Sequence, residues 1–166
     1  IHECLPPSVY LETGVQYGHS FELAQQSEIA IGIDPNLKKI PAKFHEWGHL
    51  FETTSDGFFA AGLYEKTCDE RRIDTAFIDG MHLFEYTLRD FINIERRCHA
   101  DSVVLLHDVI PMKSASGARL RKTTTWMGDV WRAIAALSRY RPDLELTVID
   151  AGPSGLAVVR SLDPTN

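Results

Sequence analysis

Cysteine is scarce in this chain: Cys4, Cys68 and Cys98 are odd in number, far apart and free of any CxxC spacing. A disulfide framework and a thiolate zinc site are both excluded on that ground, and thiols kept reduced in the cytoplasm are expected. No apolar run approaches the roughly 20 residues of a membrane span, and no signal-peptide pattern is read at the start. Excess positive charge is missing as well, with 17 Lys and Arg against 23 Asp and Glu and a net charge of -6. A nucleic-acid partner would ask for a basic face, so none is expected. Internal repeats and low-complexity segments are absent too. Hydrophobic residues at 44% and charged residues at 24% are ordinary for a soluble globular protein. The expectation is one domain over residues 1–166, large enough to bury most of its apolar surface.

The informative stretch runs from Tyr10 to Ser20 and on through Ile29 to Asp34. An apolar run ends in Glu12, Gly14 and Gly18 open a turn, a helical run begins near Ser20, and a second apolar run closes on Asp34. Glycine lets the backbone take positive φ and approach a ligand that any Cβ would hinder. Asp34, twenty residues past Gly14, stands where a carboxylate can accept hydrogen bonds from two ribose hydroxyls. This layout fits a dinucleotide or S-adenosylmethionine. The loop reads ExGxxxGxS, one residue longer between its glycines than the dinucleotide pattern needs. Glu12 would repel a pyrophosphate but suits a sulfonium and an amino group. An ordinary strand-to-helix turn is the plain alternative.

Strands alternate with helical patterns along the rest of the chain. Strands are predicted over 9–13, 29–34, 50–53, 75–78, 102–106, 144–149 and 156–159. Helices are predicted over 20–26, from a Thr54-Ser55-Asp56 cap to about 67, after Asp79 with Leu83, Tyr86, Thr87, Phe91 and Ile94 at helical spacing, and over 126–140. Residues 36–48 read as a short helix or loop. The unbroken Val103-Val104-Leu105-Leu106 run marks a strand buried on both faces. Residues 112–125 carry Lys113, Arg119, Arg121 and Lys122 without apolar period, a long loop of the kind that is functional or disordered. Parallel neighbours need a crossover of about a dozen residues, and the short Asp150 to Gly155 junction cannot supply one. The last two strands must form an antiparallel hairpin.

Four segments then resemble a known family: Leu11 to Ser20, Gly32-Ile33-Asp34-Pro35, Phe77-Ile78-Asp79-Gly80-Met81-His82, and Val104 to Val109 with its His107-Asp108 pair. Together they are similar to the class I S-adenosylmethionine-dependent methyltransferases, most closely the small-molecule branch with FIDGxH and a later HD. The resemblance spans nearly the whole chain and implies an α/β, Rossmann-like, seven-stranded, mostly parallel sheet with an antiparallel last strand and helices on both faces. By carry-over, Glu12, Gly14, Gly18 and Ser20 would line the methionine end of the cofactor, Asp34 would hold the ribose, and Ser55, with Asp56 beside it, would cap the adenine.

The resemblance also implies chemistry. Asp79 and Asp108 follow adjacent strands at the carboxyl edge of the sheet, where ligands bind in open α/β folds. In the metal-dependent O-methyltransferases of this type the matching positions hold magnesium, which orients and acidifies a substrate hydroxyl. His107 stands where an acidic ligand is usual and suits manganese, iron or zinc better than magnesium, so Asp79, His107 and Asp108 form the expected metal set. Asp79 is also counted with the cofactor residues and as a helix cap. His82, three residues past Asp79, is the expected catalytic base, with Asp79 beside it. The plain alternatives are a helix N-terminal histidine bonding a nearby carboxylate for His82 and a packed strand-end histidine for His107. The basic loop would cover the site as a substrate lid for an anionic acceptor, or be plain solvated surface; Trp126 and Trp131 are expected in the core, with sugar or ring stacking as the alternative.

The expected activity is methyl transfer to oxygen of a small-molecule acceptor, a sugar or secondary metabolite, with S-adenosylmethionine and a divalent cation. An NAD-binding oxidoreductase domain and a catalytically silent cofactor-binding module of a larger protein remain as alternatives. The N-terminal helices that commonly shape the acceptor pocket in this family are not among these residues, as in a piece of something longer. The oligomeric state stays open, a homo-oligomer included.

Overall fold

The apolar runs pair side by side into a seven-stranded sheet of order β3-β2-β1-β4-β5-β7-β6 in a computed structural model that describes residues 7–37 and 40–166. The strands are β1 (Val9–Thr13), β2 (Ile29–Ile33), β3 (His49–Phe51), β4 (Ile73–Ile78), β5 (Cys98–His107), β6 (Glu145–Ile149) and β7 (Leu156–Arg160). β1 lies parallel between β2 and β4, β2 continues to β3 and β4 to β5, all parallel. β7 runs antiparallel to both β5 and β6, as the short junction requires.

Every residue of β1 is buried, because a central parallel strand is covered on both faces. Alternation then sorts the side chains: Val9 and Leu11 join one apolar cluster and Tyr10 the other. The larger cluster packs the sheet against α1 (Ser55–Ala60), α2 (Leu63–Cys68), α3 (Phe84–Glu95) and α4 (Trp131–Tyr140), through Phe58, Tyr64, Phe91, Ile94 and Leu137. The opposite face is covered by two 3-10 turns, Phe21–Ala24 and Ala42–Glu46, whose Phe21 stacks on Trp47 with ring centroids 5.1 Å apart and meets Phe44.

Several boundaries differ from expectation for identifiable reasons. The helix expected over 20–26 is a single 3-10 turn, pinned by the wholly buried Phe21. The helix expected to reach 67 breaks into α1 and α2 at Gly62, whose left-handed backbone (φ 62°, ψ 32°) ends α-helical geometry. α4 begins at Trp131 and not at 126, because Gly128 is left-handed (φ 61°) and turns the chain before the helix. β5 starts earlier than expected, at Cys98, with an irregularity in its pairing between Ile73 and Thr75. Cys68 and Cys98 are buried free thiols, and Cys4 lies outside the described residues. No helix among the described residues is long and apolar enough to cross a membrane.

Candidate active site

The carboxyl edge of the parallel strands is where the motif residues gather. Gly14 leaves β1 with φ +87°, and a Cβ there would stand 2.0 Å from the backbone oxygen of Asp79, so the β1 loop lies directly on the end of β4. The edge is stitched by Gly14 N–H to Ile33 O (2.9 Å) and Asp79 N–H to Thr13 O (2.9 Å). At the end of β2 the Asp34 carboxylate accepts from Gln16 N (2.9 Å) and Asn36 N (2.7 Å), and Gln16 is itself held at positive φ. Thr54 caps α1 by accepting from Gly57 N (3.1 Å), which sets Ser55 and Asp56 opposite the β1 loop.

A cavity of about 460 Å³ opens between these pieces, lined among others by Thr13, Gly14, Asp34, Ser55, Asp56, Met81, Tyr86 and Asp90. Gly14, Asp34 and Ser55 therefore share one cavity. Three carboxylates face it, and no lysine or arginine is among the described residues that line it, although Asp56 pairs with Arg89 at 2.9 Å. Asp90 and Thr13 are buried; Asp90 Oδ1 and Thr13 Oγ1 make no hydrogen bond of good geometry among the described residues, although Ser55 and Thr13 lie close enough to the Asp90 carboxyl to favour its charge. Burial pushes the Asp90 carboxyl up to about 6. Orphaned polar atoms at a cavity wall are what a donor-bearing ligand satisfies.

Glu12, Gly18 and Ser20 lie beneath the loop and do not line that cavity. Glu12 is wholly buried and takes hydrogen bonds from Ser20 Oγ (2.6 Å) and Tyr10 Oη (2.7 Å). Burial pushes its carboxyl up to about 7, against the pull of those hydroxyls. Gly18 (φ +80°) lies so close to the Phe44 ring that a Cβ would meet it at 2.1 Å.

Next to the cavity, Asp79, His82, His107 and Asp108 form a second cluster. His82 Nδ1 lies 2.9 Å from Asp108 Oδ2 and 2.9 Å from Trp126 O, and its Nε2 lies 3.4 Å from Asp79 Oδ1. His82 (φ 57°) and Asp108 (φ 62°) both carry left-handed backbones, a cost of about 1–3 kcal/mol each that persists where the surroundings enforce it. Burial opposes charge on His82, but Asp108 and Asp79 outweigh it and push its pKa up to about 10. Asp79 is held below the usual carboxylate range: burial works against it, and His107 and His82 overcome that. Asp79, His82 and Asp108 offer ligand atoms all within 4.8 Å of one another, a spacing a divalent cation can span with donors about 2.0–2.6 Å away. His107, expected in that set, is placed differently: Nδ1 meets Asp79 Oδ1 at 3.2 Å and Nε2 meets Ser154 Oγ at 3.2 Å.

The basic loop reaches the same place. Trp126, expected in the core, stacks on the His82 ring (centroids 5.7 Å apart, 18° between planes) and donates from Nε1 to Ala118 O (2.7 Å). Trp131 is 40% exposed and donates to Gly117 O (3.2 Å). Arg119 pairs with Glu85 at 2.8 Å, and the buried Asp129 accepts from Phe84 N at 2.8 Å, fixing the start of α3 behind His82. Sequence reading missed Asp90, Trp126, Asp129 and Ser154. Asp90 left a signal, since an acid falls on the buried face of α3 with Thr87, Phe91 and Ile94; the others left none.

Comparison with known proteins bears on this site. No curated protein sequence matches the chain. Among solved structures the fold is similar to cofactor-bound Rv0187 from MTB (TM-score 0.72, 15% identity, 96% of this chain and 75% of that one). It is also similar to the O-methyltransferase TomG from Streptomyces achromogenes in complex with SAM (TM-score 0.71, 14% identity, 95% and 74%). A third is the O-methyltransferase from Bacillus cereus in complex with SAH (TM-score 0.68, 12% identity, 93% and 74%). At such identity the likeness speaks for the fold. The family model described as "Methyltransferase domain" matches residues 11–109, which carry Glu12 through Asp108 and so both clusters. The chain belongs to this methyltransferase-domain family and has its class I fold.

Proposed function

We propose that the chain transfers the methyl group of S-adenosylmethionine to an oxygen of a small-molecule acceptor. One observation carries the reading: a cavity walled by Asp34, Asp56 and Asp90, of which only Asp56 is paired with an arginine among the described residues, opens beside the Asp79, His82 and Asp108 cluster. Carboxylates suit a nucleoside whose only charges nearby are a sulfonium and an ammonium, and they repel a pyrophosphate. That weighs against the NAD-binding alternative. The neighbours crystallised with a bound cofactor, SAM or SAH, give the same choice support by likeness.

The acceptor follows from the second cluster. Methyl transfer asks for alignment of nucleophile, carbon and sulfur, and a hydroxyl nucleophile must also lose its proton. Asp79 and Asp108 would hold a divalent cation, with His82 a third donor only after it has lost a proton, and such an ion would acidify a hydroxyl bound to it. Against burial, Asp108 and Asp79 push the His82 pKa up to about 10, which favours the imidazolium at neutral pH. His82 can serve as base only once their charge is neutralised. Gly14 and Asp34 would bind and orient the cofactor, Glu12 would support the loop from beneath through Ser20 and Tyr10, and Trp126 keeps one face of the imidazole from water. A sugar or secondary-metabolite hydroxyl fits this chemistry, and Lys113, Arg121 and Lys122 on the nearby loop would favour an acceptor carrying negative charge.

Calorimetric titration with S-adenosylmethionine, with NAD as the control, tests the assignment. Saturable binding of the former alone is expected. Silence at millimolar S-adenosylmethionine rejects it.

A further inference from the structure

His107 stands at the end of β5 beside the two candidate metal carboxylates, yet both of its ring nitrogens are already engaged. An ionised Asp79 can only accept, so the Nδ1 3.2 Å from Asp79 Oδ1 carries a proton. Nε2 faces the hydroxyl of Ser154 at 3.2 Å, and Ser154 is 1% exposed. The loop that brings Ser154 is tied to the same edge by Ile110 N–H to Ser154 O at 2.7 Å, and Gly155 turns with φ +74° against Ile110. The Phe77 ring lies 5.9 Å from the imidazole. The His107 side chain is 31% exposed and its Nδ1 also lies 3.5 Å from Asp108 Oδ1, yet its nitrogens are absent from the Asp79, His82 and Asp108 set.

We propose that the buried Ser154 and the half-buried His107 form a relay that orients the Asp79 carboxylate, and that His107 is a positioning residue outside the ligand set of the cation. The proposal rests on the metal-assisted reading above and concerns only this chain's own side chains. Its logic is general: a side chain that fixes the lone pairs of a ligating group raises affinity without touching the ion, and its loss costs about 10- to 100-fold. A serine, a histidine and an aspartate in series also describe an acyl-transfer nucleophile. Burial of Ser154 opposes that use, since no substrate carbonyl reaches a hydroxyl with 1% exposure.

Manganese binding to the full chain, followed by electron paramagnetic resonance of the free ion, separates the roles. Ser154→Ala and His107→Ala are each expected to weaken manganese binding about tenfold. His107→Gln, whose amide can donate to Asp79 and accept from Ser154, is expected to stay within about threefold of the parent. Near-complete loss in both His107 variants, with Ser154→Ala unchanged or tighter, makes His107 a ligand and overturns the proposal. Labelling of Ser154 by a fluorophosphonate overturns it too. Should His107→Ala fail to fold, Ser154→Ala and His107→Gln still decide. Titration with S-adenosylmethionine runs alongside: a parent that binds cofactor but no manganese ends this inference and leaves the methyltransferase reading intact, whereas loss of both ends the two together.

Discussion

At the scale of single residues the site is built from groups held in states they would not choose in water. Asp90 is the plainest case: burial raises its pKa from 3.8 to about 6, so its charged form is penalised in the folded chain. Asp90→Asn removes that penalty at neutral pH and should raise the melting temperature at pH 7.5, while weakening binding of S-adenosylmethionine in calorimetry. His82 works with the opposite sign. Its pKa rises from 6.5 to about 10 on folding, so its contribution to stability is full below about pH 6.5 and fades as pH climbs toward 10. Melts across that window at low salt should show the parent losing stability and His82→Gln losing less. The glycines and Asp34 were legible in the sequence because spacing and backbone freedom are local properties. The proton on His82 was not: a neutral imidazole base was the expectation, and the two carboxylates that reverse it arrive from the ends of two strands.

Among the elements, the long basic loop changed most between expectation and structure. It is not a free surface. Its Ser116 accepts from Met127 N at 3.0 Å, Trp126 ties to Ala118, and Asp129 caps the start of α3. Trp126→Ala removes both the stacking on His82 and the Ala118 bond, so trypsin should cut at the exposed Arg119, Arg121 and Lys122 several-fold faster than in the parent, with the global melt shifted little. The loop's existence was readable from its lack of apolar period. Its docking was not, since Trp126 and His82 lie 44 residues apart and meet only after α3 and β5 have packed. Helix lengths failed at two left-handed glycines: Gly128 turns where the backbone of His82 leaves no room for a Cβ, a tertiary contact, and Gly62 breaks the helix with no such contact around it.

For the whole molecule, the seven strands and the reversed β7 followed from one short junction and a set of buried apolar runs, because alternation and connection length are written into the chain, whereas the strand order came only with the structure. What remained hidden was which loops meet at the carboxyl edge. There the hairpin has an effect beyond ending the sheet. A strand that lies parallel to its neighbours begins at the far rim, so the residues preceding it never see the catalytic side. β7 travels the other way, and its leading residues arrive where β4 and β5 finish. The inverted strand is thus a delivery route: it carries Ser154 to the outer edge of a histidine that an all-parallel arrangement would have left facing open solvent.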